Sequence, residues 1–142
     1  MHKIDMWIQG ACYPNPGAGA YAVLLRFGEH EKFISGTLES ETTNQRCDIQ
    51  SAIEGISAIK EGWLCDITIY TSSKYLVKSM SGEWDVKSNA DLFKQLENTI
   101  GLHKVNWYWL KARSTLEGEQ CSMAAEAEAR KAFSAAGARE EA

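Results

Sequence analysis

The order of elements in this sequence predicts an α/β fold: βββαβααβα, a mixed five-stranded sheet with helices packed on its faces. Three observations carry that prediction. Apolar and polar residues alternate before a Gly/Pro turn within residues 4–26, and a second strand returns after it. Ile49, Ala52, Ile53, Ile56 and Ile59 then recur at helical spacing. Two further β-rich stretches, 65–71 and 104–111, follow with helical segments between and after them, as crossover strands require.

The opening stretch, IDMWIQGACYPNPGAGAYAVLLR, reads as a strand, a tight turn and a returning strand. Ile4, Met6 and Ile8 alternate with Asp5, Trp7 and Gln9, so one face enters a core and the other looks towards solvent or a cleft. Gln9 is the last residue of that second face before Gly10, where the chain is expected to bend. A strand ending at a sheet rim commonly displays a functional side chain there, and here it is a neutral amide. Residues 31–42 read as a third strand whose polar second half suits an edge. Thr42 and Thr43 offer N-cap hydroxyls to a helix expected to end at Gly62.

Cys65–Thr71 is β-branched, aromatic and short, a buried strand. Ser72 and Ser73 end it and cap a short helix, SKYLVKSM. Ala90–Ile100 is amphipathic, with Leu92, Phe93, Leu96 and Ile100 inward. Residues 104–111 alternate Val105, Trp107 and Trp109, which reads as a central strand whose aromatics belong to the core rather than to a base-stacking platform. Trp63 is likewise expected to pack. Residues 118–136 form a C-terminal helix with Cys121, Ala125, Ala129, Ala132 and Phe133 down one side. Residues 1–136 are therefore assigned to one domain and 137–142 to a disordered tail.

A chain of 142 residues suits one core. With neither an apolar run long enough to span a membrane nor a basic-then-apolar leader, it is expected to be soluble and cytoplasmic, with no membrane partner. Cys12, Cys47, Cys65 and Cys121 lie far apart with no CxxC pair, which favours reduced thiols. The net charge of −4 argues against a general nucleic-acid coat protein, so any such contact must come from a local patch.

The blocks GACYPNPGAGAYAVLLR, TTNQRCDIQSAIEGISAIKE, IYTSSKYLVKSM, VNWYWLKA and GEQCSMAAEAEAR resemble, in the same order, those of type 1 ribonuclease H. The resemblance spans residues 4–133 and implies the ribonuclease H-like fold. It also implies an enzyme family that cleaves the RNA strand of RNA/DNA hybrids with two divalent metals, Mg²⁺ or Mn²⁺, held by four carboxylates. Those carboxylates match Gln9, Asp48, Ser72 and Ser122 in this chain. The family's loop histidine matches Arg113, in a loop about one residue shorter. Only Asp48 keeps its acidic character.

Two dications about 4 Å apart repel by about 16 kcal/mol at an effective dielectric of about 20, and the protein must offset that repulsion. Four carboxylates with a substrate phosphate can do so, and one cannot. An amide oxygen and two hydroxyls are weak neutral ligands for a hard ion, which leaves Asp48 as a weak candidate for one hydrated metal. No cofactor is expected, and Mg²⁺ or Mn²⁺ enters only if the site works as an atypical nuclease. Glu126, one turn beyond Ser122, is the nearest carboxylate available for rescue. Cys12, Cys47 and Cys121 flank the matched positions, but neighbouring helical residues point apart, which disfavours a zinc site.

The resemblance also implies that Asn15, Thr43, Asn44 and Gln45 grip the RNA strand through its 2′-hydroxyls and backbone, with Lys74 beside a phosphate. Each residue taken alone has a plainer reading: a turn former, a helix cap, a solvated helix residue. The family's basic, Trp-bearing handle is reduced to Trp84 with Lys78 and Lys87, flanked by Glu83 and Asp85. The expectation is a nucleic-acid-binding domain that engages RNA/DNA hybrid without metal-dependent cleavage. The alternatives are a protein-interaction module on the same scaffold, suited by the acidic balance, and a ribonuclease with an irregular site.

Overall fold

A computed structural model describes residues 1–137 in full and 138–141 by backbone alone. The tail expected over residues 137–142 lies, beyond Gly137, outside the fully described residues. The elements are β1 (His2–Tyr13), β2 (Ala18–Phe27), β3 (His30–Thr37), α1 (Asn44–Ser57), β4 (Cys65–Thr71), α2 (Lys74–Met80), α3 (Ala90–Ile100), β5 (Lys104–Trp109) and α4 (Leu116–Glu141). They form one mixed sheet in the order β3-β2-β1-β4-β5. β1, β2 and β3 are antiparallel, and β4 and β5 join β1 in parallel.

Alternation along the strands splits the core into two layers. Met6, Ile8, Val23, Ile67 and Ile69 pack against Ile49, Ile53 and Ile56 of α1, Leu76 of α2 and Leu96 of α3. On the other face Trp7, Ala20, Ala22 and Leu24 meet Cys121, Ala125 and Ala129 of α4. The small residues on both sides of this second layer let α4 lie close to the sheet. The second face of β1 is thus covered by a helix over much of its length, and Trp7 is buried.

Several boundaries differ from the sequence reading. β1 does not bend at Gly10 but continues to Tyr13, its pairing with β2 unbroken down to Tyr13↔Ala18. Glycine is required there because a Cβ would collide with the backbone of Cys47 and Asp48 at the start of α1. β3 ends at Thr37, and Thr42 returns to pair with Gly17 in an isolated bridge. α1 stops at Ser57 rather than Gly62, and α4 begins two residues earlier than expected, at Leu116. β5 lies at the sheet edge, not at its centre, which leaves Tyr108 57% and Trp109 45% exposed. Trp63 packs as expected, stacked on His2 with ring centroids 4.0 Å apart.

Candidate active site at the ends of the first and fourth strands

The parallel pairing of β1 with β4 reaches Trp7↔Tyr70, so Gln9 and Ser72 lie level just beyond it. Gln9 shares the face of Trp7, towards α4. Its Oε1 accepts hydrogen bonds from Ser72 Oγ and Ser122 Oγ, both at 3.3 Å, while its Nε2 donates to the Gly10 carbonyl at 2.8 Å. The Gly10 N–H donates to Asp48 Oδ1 at 2.8 Å, made accessible by the same close approach that excludes a side chain at Gly10. Gln9 of β1, Ser72 at the end of β4 and Ser122 of α4 therefore meet at one place, and Asp48 of α1 lies one residue along, at Gly10.

The charge at this junction is small. Burial raises the Asp48 carboxyl to about 7, against the opposing pull of the Gly10 N–H. Ser122 is buried, and Gln9, Asp48 and Ser72 are half-buried. A cavity of about 20 Å³ touches Gln9, Ser72, Arg113 and Ser122, room for about one water. Arg113, in the left-handed region at φ 58°, turns its guanidinium to Glu126 at 2.6 Å, so each neutralises the other.

The donor set does not fit a pair of hard divalent ions. It comprises one carboxylate, an amide oxygen already accepting two hydroxyls, and those two hydroxyls. Among the described residues, no group of three or more His, Cys, Asp or Glu side chains converges to hold a metal. The cysteines also divide. Cys12 donates to the Thr42 carbonyl at 3.2 Å, and its thiol, like the buried Cys47 thiol, is raised by burial. Cys121 lies in the layer beneath α4, its thiol donating to the Trp7 carbonyl at 3.6 Å.

The residues matched to strand gripping form two groups. Asn15 Oδ1 accepts from the Asn44 N–H at 3.1 Å, tying the β1–β2 turn to the start of α1. Thr43 caps that helix by accepting from the Arg46 N–H at 3.3 Å, and Asn44 and Gln45 are exposed beside it. Lys74 stands apart, on the far side of Ser72. Its Nζ lies 4.9 Å from the Trp109 ring, and Trp109 Nε1 donates to the Ser72 carbonyl at 3.1 Å. Sequence reasoning missed Trp109 because it placed β5 in the centre of the sheet. It also missed Arg46, which grips Asp91 through two bonds at 3.0 and 2.8 Å and holds that carboxyl at about 2. The reduced handle is weaker still, since Lys78 is paired with Glu83 at 2.7 Å beside the exposed Trp84.

A five-stranded sheet of this order, with helices on both faces and four converging positions at the ends of β1 and β4, defines a ribonuclease H-like domain. The family model described as RNase H matches residues 1–130, and the chain belongs to the ribonuclease H family. It is 39% identical over 127 residues to a protein of Erythrobacter litoralis named Ribonuclease H, covering 80% of this chain and 86% of that one. A Legionella pneumophila (strain Lens) protein of the same name is 36% identical over 126 residues, covering 79% and 85%.

Among solved structures, the N-terminal RNase H domain of a Mycobacterium tuberculosis protein superposes with a TM-score of 0.84 at 21% identity, over 96% of this chain and 99% of that one. An RNase H1 solved in complex with an RNA/DNA hybrid superposes with a TM-score of 0.69 at 15% identity, over 94% and 98%. Both likenesses are of fold. No helix among the described residues is long and apolar enough to cross a membrane.

Proposed function

We propose that this ribonuclease H domain engages RNA/DNA hybrids without cleaving them by the metal-dependent route of its family. The observation that carries the reading is the Gln9 amide, which takes both serine hydroxyls where the family pattern places carboxylates. Asp48 is the one carboxylate among the four matched positions, and one carboxylate does not offset the charge of two divalent ions. A neutral, hydroxyl-rich site tolerates a nearby phosphate that carboxylates without metal would repel.

Support for hybrid as the ligand comes from three sources. The relatives are named Ribonuclease H, a structure of the same fold holds an RNA/DNA hybrid, and the 15–45 surface keeps exposed polar groups. Asn15, Thr43, Asn44 and Gln45 form the 2′-hydroxyl-reading surface in this proposal, with Lys74 beside a phosphate.

The test is fluorescence anisotropy with a labelled hybrid of about twenty base pairs, beside DNA and RNA duplexes of the same sequence, at one salt concentration. Each reaction is then incubated with Mg²⁺ or Mn²⁺ and run on a denaturing gel. Tighter binding to the hybrid with an intact RNA strand is the expected result. Metal-dependent cleavage that disappears in Asp48→Ala would overturn the inactive reading. Equal weak binding to all three nucleic acids would overturn the hybrid reading and move the function to a protein partner.

A further inference from the structure

The loop between β5 and α4 carries a cation to the mouth of the candidate site. Arg113 lines the cavity of about 20 Å³ together with Gln9, Ser72 and Ser122. Its backbone sits in the left-handed region at φ 58°, a conformation that costs a non-glycine residue free energy unless its surroundings hold it there. From that turn the side chain runs to α4, where Nη2 meets Glu126 Oε2 at 2.6 Å. Glu126 stands one helical turn beyond Ser122, so the pair lies beside the cavity that Ser122 lines.

The two side chains are 43% and 53% exposed, and an ion pair so placed holds its partners weakly. Glu126, and Glu119 at longer range, favour the charged form of Arg113 without burying it. A guanidinium is therefore kept at the site in an exchangeable form. The hydroxyls of Ser72 and Ser122 give their protons to Gln9 Oε1 at 3.3 Å, and each can rotate to donate to another oxygen. Lys111 lines the same cavity, is exposed, and forms no ion pair among the described residues. Two hydroxyl donors, a guanidinium and an ammonium around one opening match a phosphate, which arginine takes through two parallel bonds.

We propose that Arg113 grips a backbone phosphate of the bound nucleic acid at this site and that Glu126 is its built-in competitor, displaced when the phosphate arrives. The proposal rests on the reading of the domain as a hybrid binder, and it adds the residue that takes the charge and the residue that restrains it. An arriving phosphate must first release the guanidinium from Glu126, so the carboxylate lowers the apparent affinity by the fraction of time it occupies Arg113.

The test is a double-mutant cycle read by hybrid anisotropy. Glu126→Gln keeps the size of the side chain but not its charge, and should tighten binding about fivefold. Arg113→Asn, a residue that tolerates the left-handed backbone, should weaken binding about fivefold and lower the slope of log affinity against log salt by about one. In the Arg113→Asn background, Glu126→Gln should change affinity by less than about twofold, because no guanidinium remains to be released. Equal effects of Glu126→Gln in both backgrounds would overturn the competitor, since the carboxylate would then act only as a charge repelling nucleic acid. An unchanged salt slope in Arg113→Asn would overturn the phosphate contact.

A second measurement needs no nucleic acid. Inorganic pyrophosphate titrated against the isotope-labelled chain should shift the Arg113 Nε–H resonance, which is assigned by its loss in Arg113→Asn. The shift should saturate in the millimolar range, and at about fivefold lower concentration in Glu126→Gln. No shift would overturn the proposal. If the chain binds no duplex, or binds hybrid, DNA and RNA duplexes alike, the hybrid reading fails, while the pyrophosphate titration still decides for or against the phosphate contact.

Discussion

Asp48 lies beneath the β1 backbone in a poor position for a charge, with a single N–H, that of Gly10, to stabilise its ionised form. A carboxyl whose folded pKa of about 7 exceeds its unfolded value binds more protons in the folded state between those two values. Its contribution to stability is therefore fully present below the unfolded pKa and is lost as pH rises through 7. Asp48→Asn keeps an acceptor for the Gly10 N–H and removes the ionisation. Urea melts should show the variant close to the parent at pH 4 and more stable by about 1–2 kcal/mol at pH 8. A difference that stays constant with pH would refute the assignment. Arg113 and Glu126, exposed and paired, contribute little to stability by comparison.

At the scale of elements, the contact between β1 and α1 depends on Gly10. The strand passes so close to Cys47 and Asp48 that backbone, not side chain, meets it. Gly10→Ala should cost about 2–3 kcal/mol, because the clash is with peptide groups that cannot rotate away. The check is the urea midpoint of the purified variant, and a change below 0.5 kcal/mol, roughly the scatter of surface substitutions, would show that α1 can withdraw. The α1–α3 contact has a different character. Arg46 joins Asp91 and Asn89 across it at the surface, where ion pairs orient more than they stabilise. β5, as the edge strand, presents Tyr108 and Trp109 outward, and the Lys74–Trp109 stack frames one side of the site.

For the whole molecule, the fold draws four elements to one point whether or not the residues there can hold metal. Gln9→Asp, Asp48→Glu, Ser72→Asp and Ser122→Asp introduced together should therefore create a Mg²⁺ site. The quadruple variant is expected to melt lower than the parent in EDTA, because the carboxylates repel, and to regain stability on adding Mg²⁺. Calorimetry showing no Mg²⁺ uptake by the folded variant would refute the matching of these positions.

Local pattern determined a great deal. β4 and α3 have the bounds read from sequence, and Thr43 and Ser73 cap α1 and α2. The reason is that period, β-branching and cap hydroxyls act between residues near in sequence, through sterics and hydrogen bonds that need no distant partner. The grouping of Gln9, Asp48, Ser72 and Ser122 came from the resemblance to the ribonuclease H blocks and not from local pattern. Tertiary structure alone decided that Gly10 lies within a continuous strand, that Trp109 is exposed, and that Gln9 takes the hydroxyls of both serines. Each of these depends on which distant segment packs nearby: α1 against Gly10, an open flank beyond β5, and β4 and α4 meeting over Gln9. No one segment carries that information by itself, because the contacts that make it are between segments far apart in the chain.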